Sequence, residues 1–291
     1  MSPLISVVVL TYGERKKELF RCLKSIEKSS YQNKEVILVT NGCPLTLVDA
    51  VKSKFPEVKI IQLPTNTGVF FGFNTGFINA KGEYILALDD DTSIRSNTLK
   101  QLVELFQASS KDIAVISPNA YNPITKHSYA PCQTKDMISF HGASAFRKSV
   151  LDQVGYYDND FFASLGADDL AIRIINAGYK IKFGQAIIIH HYERGSVLRK
   201  RKLFLNARNK AWFNIKHFSG RFLPLLVLRD LVWITLLPYR KKSLKAWWYG
   251  ITGYLLGYLN LFIPLKKRKP VANNIQKKFI KHYWLGDFKK K

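Results

Sequence analysis

Three consecutive carboxylates, Asp89, Asp90 and Asp91, close the stretch EYILALDDD at residues 83–91. The apolar run before them reads as a buried strand, and like charges set this close repel one another. Alternate residues of an extended segment point the same way, so Asp89 and Asp91 share a face, where a hard divalent cation turns their repulsion into attraction. Mg2+ or Mn2+ held in this manner commonly takes phosphate oxygens as well. An N-cap for a helix at 97–108 is the plainer use of an aspartate here, but a cap needs only one. Upstream, Gly68, Gly72 and Gly76 are spaced by four, which in a helix forms a stripe of small residues for close packing on a sheet, while Asn66 and Asn74 offer side-chain amides. A second concentration of chemical groups lies at 140–191, where Asp168 and Asp169 open a helical pattern and His190 and His191 follow an apolar run.

The elements that must position these groups are short. ISVVVL (5–10), EVILV (35–39), VKIIQL (58–63) and EYILAL (83–88) are β-rich runs with little polar alternation, as expected of parallel strands covered on both faces. Between them, residues 16–29 place Leu19, Cys22, Leu23 and Ile26 on one helical face, and a second helix is expected at 46–55. This alternation predicts an open α/β sheet, continued by a helix at 97–108, a strand at 112–117, a Pro/Asn/Tyr-rich loop region at 118–136 and a strand at 179–190. In such sheets ligands bind beyond the carboxyl ends of the strands, which is where the three aspartates fall.

The chain of 291 residues is 47% hydrophobic and 13% aromatic, long enough for a substantial core and unlike a disordered tail. Its formal net charge of +24 is unevenly placed: from Arg194 onward there are 24 Lys/Arg and two acids, Asp230 and Asp287. Three widely spaced cysteines, Cys22, Cys43 and Cys132, form neither a disulfide framework nor a zinc motif, which favours a reducing compartment. The opening MSPLISVVVLTYG lacks a basic n-region and reads as a first strand rather than a signal peptide.

After about residue 197 the texture changes to aromatic and aliphatic runs broken by basic clusters, so two domains are expected, 1–197 and 198–291. AWWYGITGYLLGYLNLFIPL (246–265) carries no charge and is long enough to span a bilayer, but both flanks are strongly basic, and Arg229 with Asp230 interrupts the earlier apolar run. Helices lying at the interface, with Lys/Arg on anionic headgroups, account better for this mixture. A nucleic-acid-binding arm would be basic and aromatic too, but has no use for apolar stretches such as 251–263.

Taken in order, these motifs resemble a family 2 glycosyltransferase with the GT-A fold, a Rossmann-like mixed α/β sheet, here with a C-terminal helical region. The first strand ends in Thr11-Tyr12, VTNGC (39–43) stands for a VDNGS-like turn, and an Asn-x-Gly, Asn-x-Gly, Ala-x-Gly-Glu-Tyr series at 66–84 runs into the LDDD metal motif. The likeness covers roughly residues 4–192. It implies that Thr11, Tyr12, Glu14, Thr40, Asn41, Asn66, Gly68 and Asn74 line the nucleotide and donor pocket with Asp89 and Asp90, and that Asp89 and Asp91 hold Mg2+ or Mn2+, completed by His190 or His191. Thr40 stands where the family often has an aspartate reading the base, which leaves UDP, GDP and dTDP all open as donor nucleotides.

The segment FHGASAFRKSVLDQVGYYDNDFFASLGADDLAIRIINAGYKIKFGQAIIIHH resembles the acceptor side of the family. An inverting sugar transfer needs a base for the acceptor hydroxyl, and Asp168 is favoured over Asp169. The family's Glu-Asp-x-Asp is replaced: aligned on DLAIR, Gly166 and Ala167 occupy the Glu-Asp positions. His141, Gly142 and Arg173 are weaker acceptor-side candidates. NARNK (206–210) resembles an Arg-Asn element of rhamnosyltransferase-like members and points to a lipid-linked saccharide acceptor.

The expected activity is therefore metal-dependent, inverting transfer of a sugar from a nucleotide diphosphate to a saccharide acceptor in surface polysaccharide or glycolipid synthesis, by a peripheral or monotopic protein on the cytoplasmic face of the membrane. A sugar-phosphate nucleotidyltransferase is one alternative, although TYGERKKEL is a poor match to the Gly-rich basic loop it needs. A non-catalytic membrane-bound scaffold is the other.

Overall fold

The computed structural model of the chain describes residues 2–128, 137–140, 142–192, 200–236 and 243–289, with 283–289 described by backbone alone. It divides into two compact units, Met1–Tyr157 with Ala177–Arg194, and Asp158–Asn176 with Gly195–Lys291. The segment Asp158–Asn176, read in the sequence as part of the first domain, is thus grouped with the C-terminal helices.

The first unit is built on one mixed sheet. Strand β1 (Ile5–Thr11) pairs in parallel with β2 (Lys34–Asn41) and with β4 (Tyr84–Asp89), and β3 (Lys59–Leu63) extends β2 in the same sense. Beyond β4 come β8 (Ala145–Arg147), antiparallel, then β6 (Ile113–Asn122), β9 (Lys180–His191) and β5 (Thr92–Ile94), with the short β7 (His127–Ser128) paired to β6. Connections run through α1 (Lys16–Glu27), α2 (Leu45–Lys54), α3 (Val69–Ile78), α4 (Thr98–Gln107) and α5 (Lys148–Val154). The strand–helix alternation of residues 5–89 follows from this arrangement, because consecutive parallel strands need a crossover connection.

Both faces of the parallel half are covered, which is why its strands lack polar alternation. Val7 and Val9 join Leu19, Cys22, Leu23 and Ile26 of α1 and the apolar side of α4 in one core. Val8 and Leu10 point the other way, toward α3, which comes close only because its contacting residues have no side chain. A Cβ on Gly72 would lie 2.5 Å from Leu10 Cδ1, and one on Gly76 would overlap Val8 Cγ1. The glycine stripe is a packing seam here, with Gly68 at the helix entry in the left-handed region, φ +93°.

One expectation needs correcting. The loop anticipated from residue 118 begins later, because β6 runs on to Asn122 through a register shift at Pro118/Asn119. A proline lacks the N–H a regular ladder needs, and a bulge is where that loss is tolerated. The turn that follows is closed by Asn122, whose Oδ1 accepts from the N–H groups of Ile124 and Thr125.

The second unit is helical: α6 (Gly166–Asn176), α7 (Lys200–His217), α8 (Leu223–Thr235), α9 (Leu244–Leu259), α10 (Phe262–Lys266) and α11 (Asn273–Lys289). Helix α9 lies against α7 through glycines again, since a Cβ on Gly257 would sit 2.8 Å from Ala211 Cβ and 2.9 Å from the Arg208 carbonyl. Trp212 Nε1 donates to the Gly257 carbonyl at 3.0 Å. The Arg229–Asp230 pair, which interrupts the apolar run but not α8, is buried: Asp230 accepts from Arg229, from Asn214 at 2.7 Å and from the Tyr254 hydroxyl at 3.2 Å. The uncharged run 246–265 is broken after Leu259, and no described helix is long and apolar enough to cross a membrane.

The seam predicts a contrast in stability. Gly76→Ala is expected to cost about 1–3 kcal/mol in urea denaturation. Gly220→Ala, where an added Cβ meets nothing within 4 Å, is expected to cost less than about 0.5 kcal/mol.

Candidate functional site

Strand β4 ends at Asp89 and β5 starts at Thr92, so the three aspartates form the hinge between a central strand and one at the sheet edge. Asp89 is half-buried, while Asp90 and Asp91 are buried. The pairing of β5 with β9 sets Thr92 opposite His191 and Ser93 opposite His190. Adjacent strand residues face opposite ways, so only one of the two histidines can turn toward the aspartates. It is His191, whose Nε2 lies 3.2 Å from Asp91 Oδ1. Asp89, Asp91 and His191 each present a ligand atom, all within 4.8 Å of one another. His190 instead sits between the rings of Tyr121 and Tyr192, each centroid 6.3 Å away, and burial followed by the nearby Arg95 charge holds its pKa below the usual imidazole value.

The carboxylates are managed individually. Asp90 accepts from the Thr11 hydroxyl at 2.6 Å. Burial is the main influence on it and the Asp91 charge adds to this, so its pKa is pushed up to about 6 despite the Thr11 bond. Asp91 is buried too, but its hydrogen bond to His191, the charge of that ring and Arg15 together outweigh burial and hold it below the usual carboxylate range. Arg15 Nη1 bonds Asp91 Oδ2 directly and lies 3.9 Å from Asp90 Oδ1. Two carboxylates with one imidazole form a donor set that a hard divalent cation fits, oxygen-rich and doubly negative. Gly142 opens onto this group, since a Cβ added there would lie 3.5 Å from Asp89 Oδ2; His141 lies outside the described residues.

The remaining donor-side candidates divide into exposed groups and braces. Tyr12 follows Thr11 half-buried, and Glu14 is exposed. Thr11 is committed to Asp90 and also accepts the Gly13 N–H at 3.1 Å. Thr40 is buried at the end of β2, in register with Thr11. Asn41 spends its amide on the chain: Nδ2 donates to the Gly68 carbonyl at 2.8 Å, and Oδ1 accepts the Thr67 N–H at 2.8 Å and the Thr67 hydroxyl at 3.1 Å. Asn66 is exposed and its Oδ1 accepts the Gly68 N–H. Asn74 is buried and pairs with the backbone of Tyr157 in both directions, at 2.8 and 3.0 Å. Asn41 and Asn74 thus shape the site by fixing loops.

In the second unit, Asp168 and Asp169 occupy the first turn of α6 with different fates. Asp168 is half-buried. Asp169 is fully buried and held by Arg173 Nε at 3.0 Å, Lys216 Nζ at 2.5 Å and His217 Nε2 at 2.7 Å. Burial opposes its charge, but Arg173, His217 and Lys216 prevail and drive its pKa far below the usual range. A carboxylate so stabilised is a poor proton acceptor. Arg173, a weak acceptor-side candidate, is occupied as a partner of Asp169.

The turn before α6 is strained. Phe162, Ser164 and Leu165 all have positive φ, 57°, 68° and 61°. Such residues persist only where their surroundings impose the conformation. Asn209 of α7 imposes it: its buried Nδ2 donates to the carbonyls of Phe161, Ala163 and Ser164 at 2.9, 2.7 and 3.0 Å. Arg208 grips the Asn209 Oδ1 at 2.8 Å and the carbonyls of Asp160 and Phe161. The Arg-Asn pair within NARNK is therefore the clamp on the turn that precedes α6.

The profile of Glycosyl transferase family 2 matches residues 6–157, more than half of the chain. The chain belongs to the family 2 glycosyltransferases. Among curated relatives of this family 2 chain, glycosyltransferase GlyG of Streptococcus pneumoniae is 36% identical over 125 residues, 42% of this chain and 40% of GlyG. The uncharacterized glycosyltransferase YwdF of Bacillus subtilis is 26% identical over 170 residues, 54% and 62%. The chain therefore spans less than two thirds of the length of these relatives. Poly-beta-1,6-N-acetyl-D-glucosamine synthase of Staphylococcus epidermidis is 24% identical over 201 residues, 62% of this chain and 47% of the synthase. The fold matches that of S. aureus TarS 1-349 solved with UDP-GlcNAc, with a TM-score of 0.63 at 16% identity over 90% of this chain and 81% of TarS. The mannosyltransferase PcManGT of Pyrobaculum calidifontis, solved with GDP-Man and Mn2+, gives 0.59 at 17% identity over 92% and 84%. The GT-A architecture expected from the motif series is present in this glycosyltransferase.

Sequence reasoning missed three groups. Arg15 was one basic residue among several in TYGERKKEL, with no local signal to single it out. Lys216 and His217, the buried partners of Asp169, sit in a helix whose sequence has no single apolar face. Asn209 was noticed as a motif but not as a clamp.

Two measurements test this arrangement. Asn209→Ala removes the amide whose two N–H groups are shared among three carbonyls, and is expected to cost about 2–4 kcal/mol in chemical denaturation. His217 is buried and its pKa is lowered, chiefly by burial, so between pH 7 and 5 the unfolded chain takes up a proton that the folded chain resists. Stability is expected to fall as pH drops through this window, and the fall should shrink in His217→Gln.

Proposed function

We propose that this family 2 glycosyltransferase moves a sugar, with inversion, from a nucleotide-diphosphate donor to a saccharide acceptor carried by a lipid. The observation that carries this reading is the group of Asp89, Asp91 and His191 at the carboxyl end of β4, with ligand atoms within 4.8 Å of one another. Support comes from the relatives: PcManGT was solved with GDP-Man and Mn2+, and TarS with UDP-GlcNAc. Both nucleotides, and dTDP, stay open as donors because Thr40 replaces the acidic base reader. The curated polymer synthase supports a role in surface polysaccharide or glycolipid assembly.

In this reading Asp89, Asp91 and His191 bind the cation, which is Mn2+ or Mg2+, the imidazole favouring Mn2+. When bound, the cation supplies positive charge against the donor diphosphate. Arg15 holds Asp91, and Thr11 holds Asp90 beside it, so one ligand carboxylate and its neighbour would be braced by the chain on loading. The Asn41 brace and the Gly68 turn shape the donor side. The acceptor oxygen forms the new bond to the anomeric carbon as the bond to the diphosphate oxygen breaks and its electron pair leaves with the nucleotide; Asp168 takes the acceptor proton. Asp169 stays ionised and holds the start of α6 through its three cationic and imidazole partners. Residues 1–197 form the catalytic part in this proposal, and 198–291 bring it to the cytoplasmic face of the membrane.

Asp91→Asn is expected to lower Mn2+-dependent donor binding and turnover by at least about 100-fold, and chelation should do the same to the unsubstituted chain. Asp168→Asn should lower kcat by about 10²–10⁴ with donor affinity kept. Titration calorimetry with UDP-, GDP- and dTDP-sugars, followed by product release, reads both. Donor binding that ignores Asp91 and chelators would overturn the cation site, and binding without turnover by the intact chain would favour a scaffold.

A further inference from the structure

We infer that the outward faces of α8 and α9, with α10, form a docking surface for an anionic lipid bilayer, used edge-on by helices that lie flat rather than cross. On α9 the buried residues Ala246, Gly250, Gly253, Tyr254 and Gly257 cluster on one side. The opposite side carries Leu244, Trp248, Leu255 and Leu259, exposed by 77, 59, 54 and 77%. A helical turn of 100° per residue places these two sets about half a revolution apart. Helix α8 repeats the pattern: Leu226, Arg229, Asp230 and Ile234 face inward, while Leu225, Leu228 and Val232 are exposed. Phe262 and Leu265 of α10 continue the apolar surface, and exposed Lys266 and Lys269 flank its end, while Lys267 between them is paired with Asp158 and Asp160.

Charge decides the occupant. From Arg194 onward the chain carries 24 basic residues and two acidic ones, one of which, Asp230, is buried in its network. A second copy of the same surface would meet this excess with an equal one of the same sign. Nucleic acid would answer the charge but leave large aliphatic side chains in water. A bilayer with anionic headgroups satisfies both, taking the leucines and tryptophan at the acyl boundary and the lysines among the headgroups. The helices are too short or too broken to span, so the contact is interfacial.

This rests on the preceding reading only in giving the acceptor's lipid carrier a surface to meet, and its test is independent of turnover. The full chain is sedimented with phosphatidylcholine vesicles, with and without phosphatidylglycerol, while binding of nucleotide diphosphate with Mn2+ is measured on the same preparation. Binding is expected only with phosphatidylglycerol and is expected to weaken in high salt. Leu228→Glu with Leu259→Glu should reduce the bound fraction by at least about tenfold, with melting temperature and nucleotide binding unchanged. Lys266→Gln with Lys269→Gln, which leaves the apolar face intact, should reduce it too. No vesicle binding, or equal binding by both double variants and the parent, overturns the inference. A dimer dissolved by the leucine substitutions does so as well, since a second copy would then be the occupant. A chain that binds vesicles but no nucleotide overturns the donor reading alone.

Discussion

The structure turns on confining negative charge at the end of a hydrophobic strand. Asp89, Asp90 and Asp91 follow directly from β4, whose residues Ile85 to Leu88 are entirely inaccessible, so their repulsion is felt in a poorly polarisable setting. The chain offsets it with a hydroxyl from β1, a guanidinium from the loop after β1 and an imidazole from β9. The first two lie four residues apart and the imidazole about 180 residues on; the sheet order β1–β4 on one side and β9–β5 on the other brings them to the aspartates. The parallel core is thus the means by which opposing and neutralising groups are aligned.

The second unit solves a related problem differently. Asp169 is paired, among the described residues, with side chains of its own unit, Arg173 one turn along α6 and Lys216 with His217 from the end of α7. Removing one partner of such a buried set is costly, because a charge is left without compensation. Its neighbour Asp168, one residue earlier, points about 100° away around the helix and is half-buried where Asp169 is fully buried.

The sequence made the parallel half legible because hydrophobic runs and helical spacing are local signals: β1, β2, β4, α1, α2 and α4 lie within a residue or two of their expected limits. The antiparallel half was less so. Strand β5 has three residues and β6 crosses a proline, and both are stabilised by partners far along the chain, which no local pattern reports. In the acidic group the aspartates were visible because three in a row are unusual, and the two histidines because they close an apolar run. Choosing His191 over His190 required the register of β5 on β9. Arg15 and Lys216 stayed hidden, since a single basic residue in a basic chain carries no contrast, and the roles of Asn41 and Asn74 as braces appear only when their amides meet backbone from other loops.

The turn at 162–165 has an implication for how this chain tolerates change. Glycine would occupy those left-handed positions with roughly 1–2 kcal/mol less strain each, yet the chain places Phe162, Ser164 and Leu165 there. Their side chains offset part of that difference through contacts of their own, one of which is visible: the Arg201 guanidinium lies 4.4 Å from the centre of the Phe162 ring. Glycine at these sites would relax the backbone while erasing the shape it presents, so a library selected for heat resistance alone would drift toward a sturdier but blunted protein.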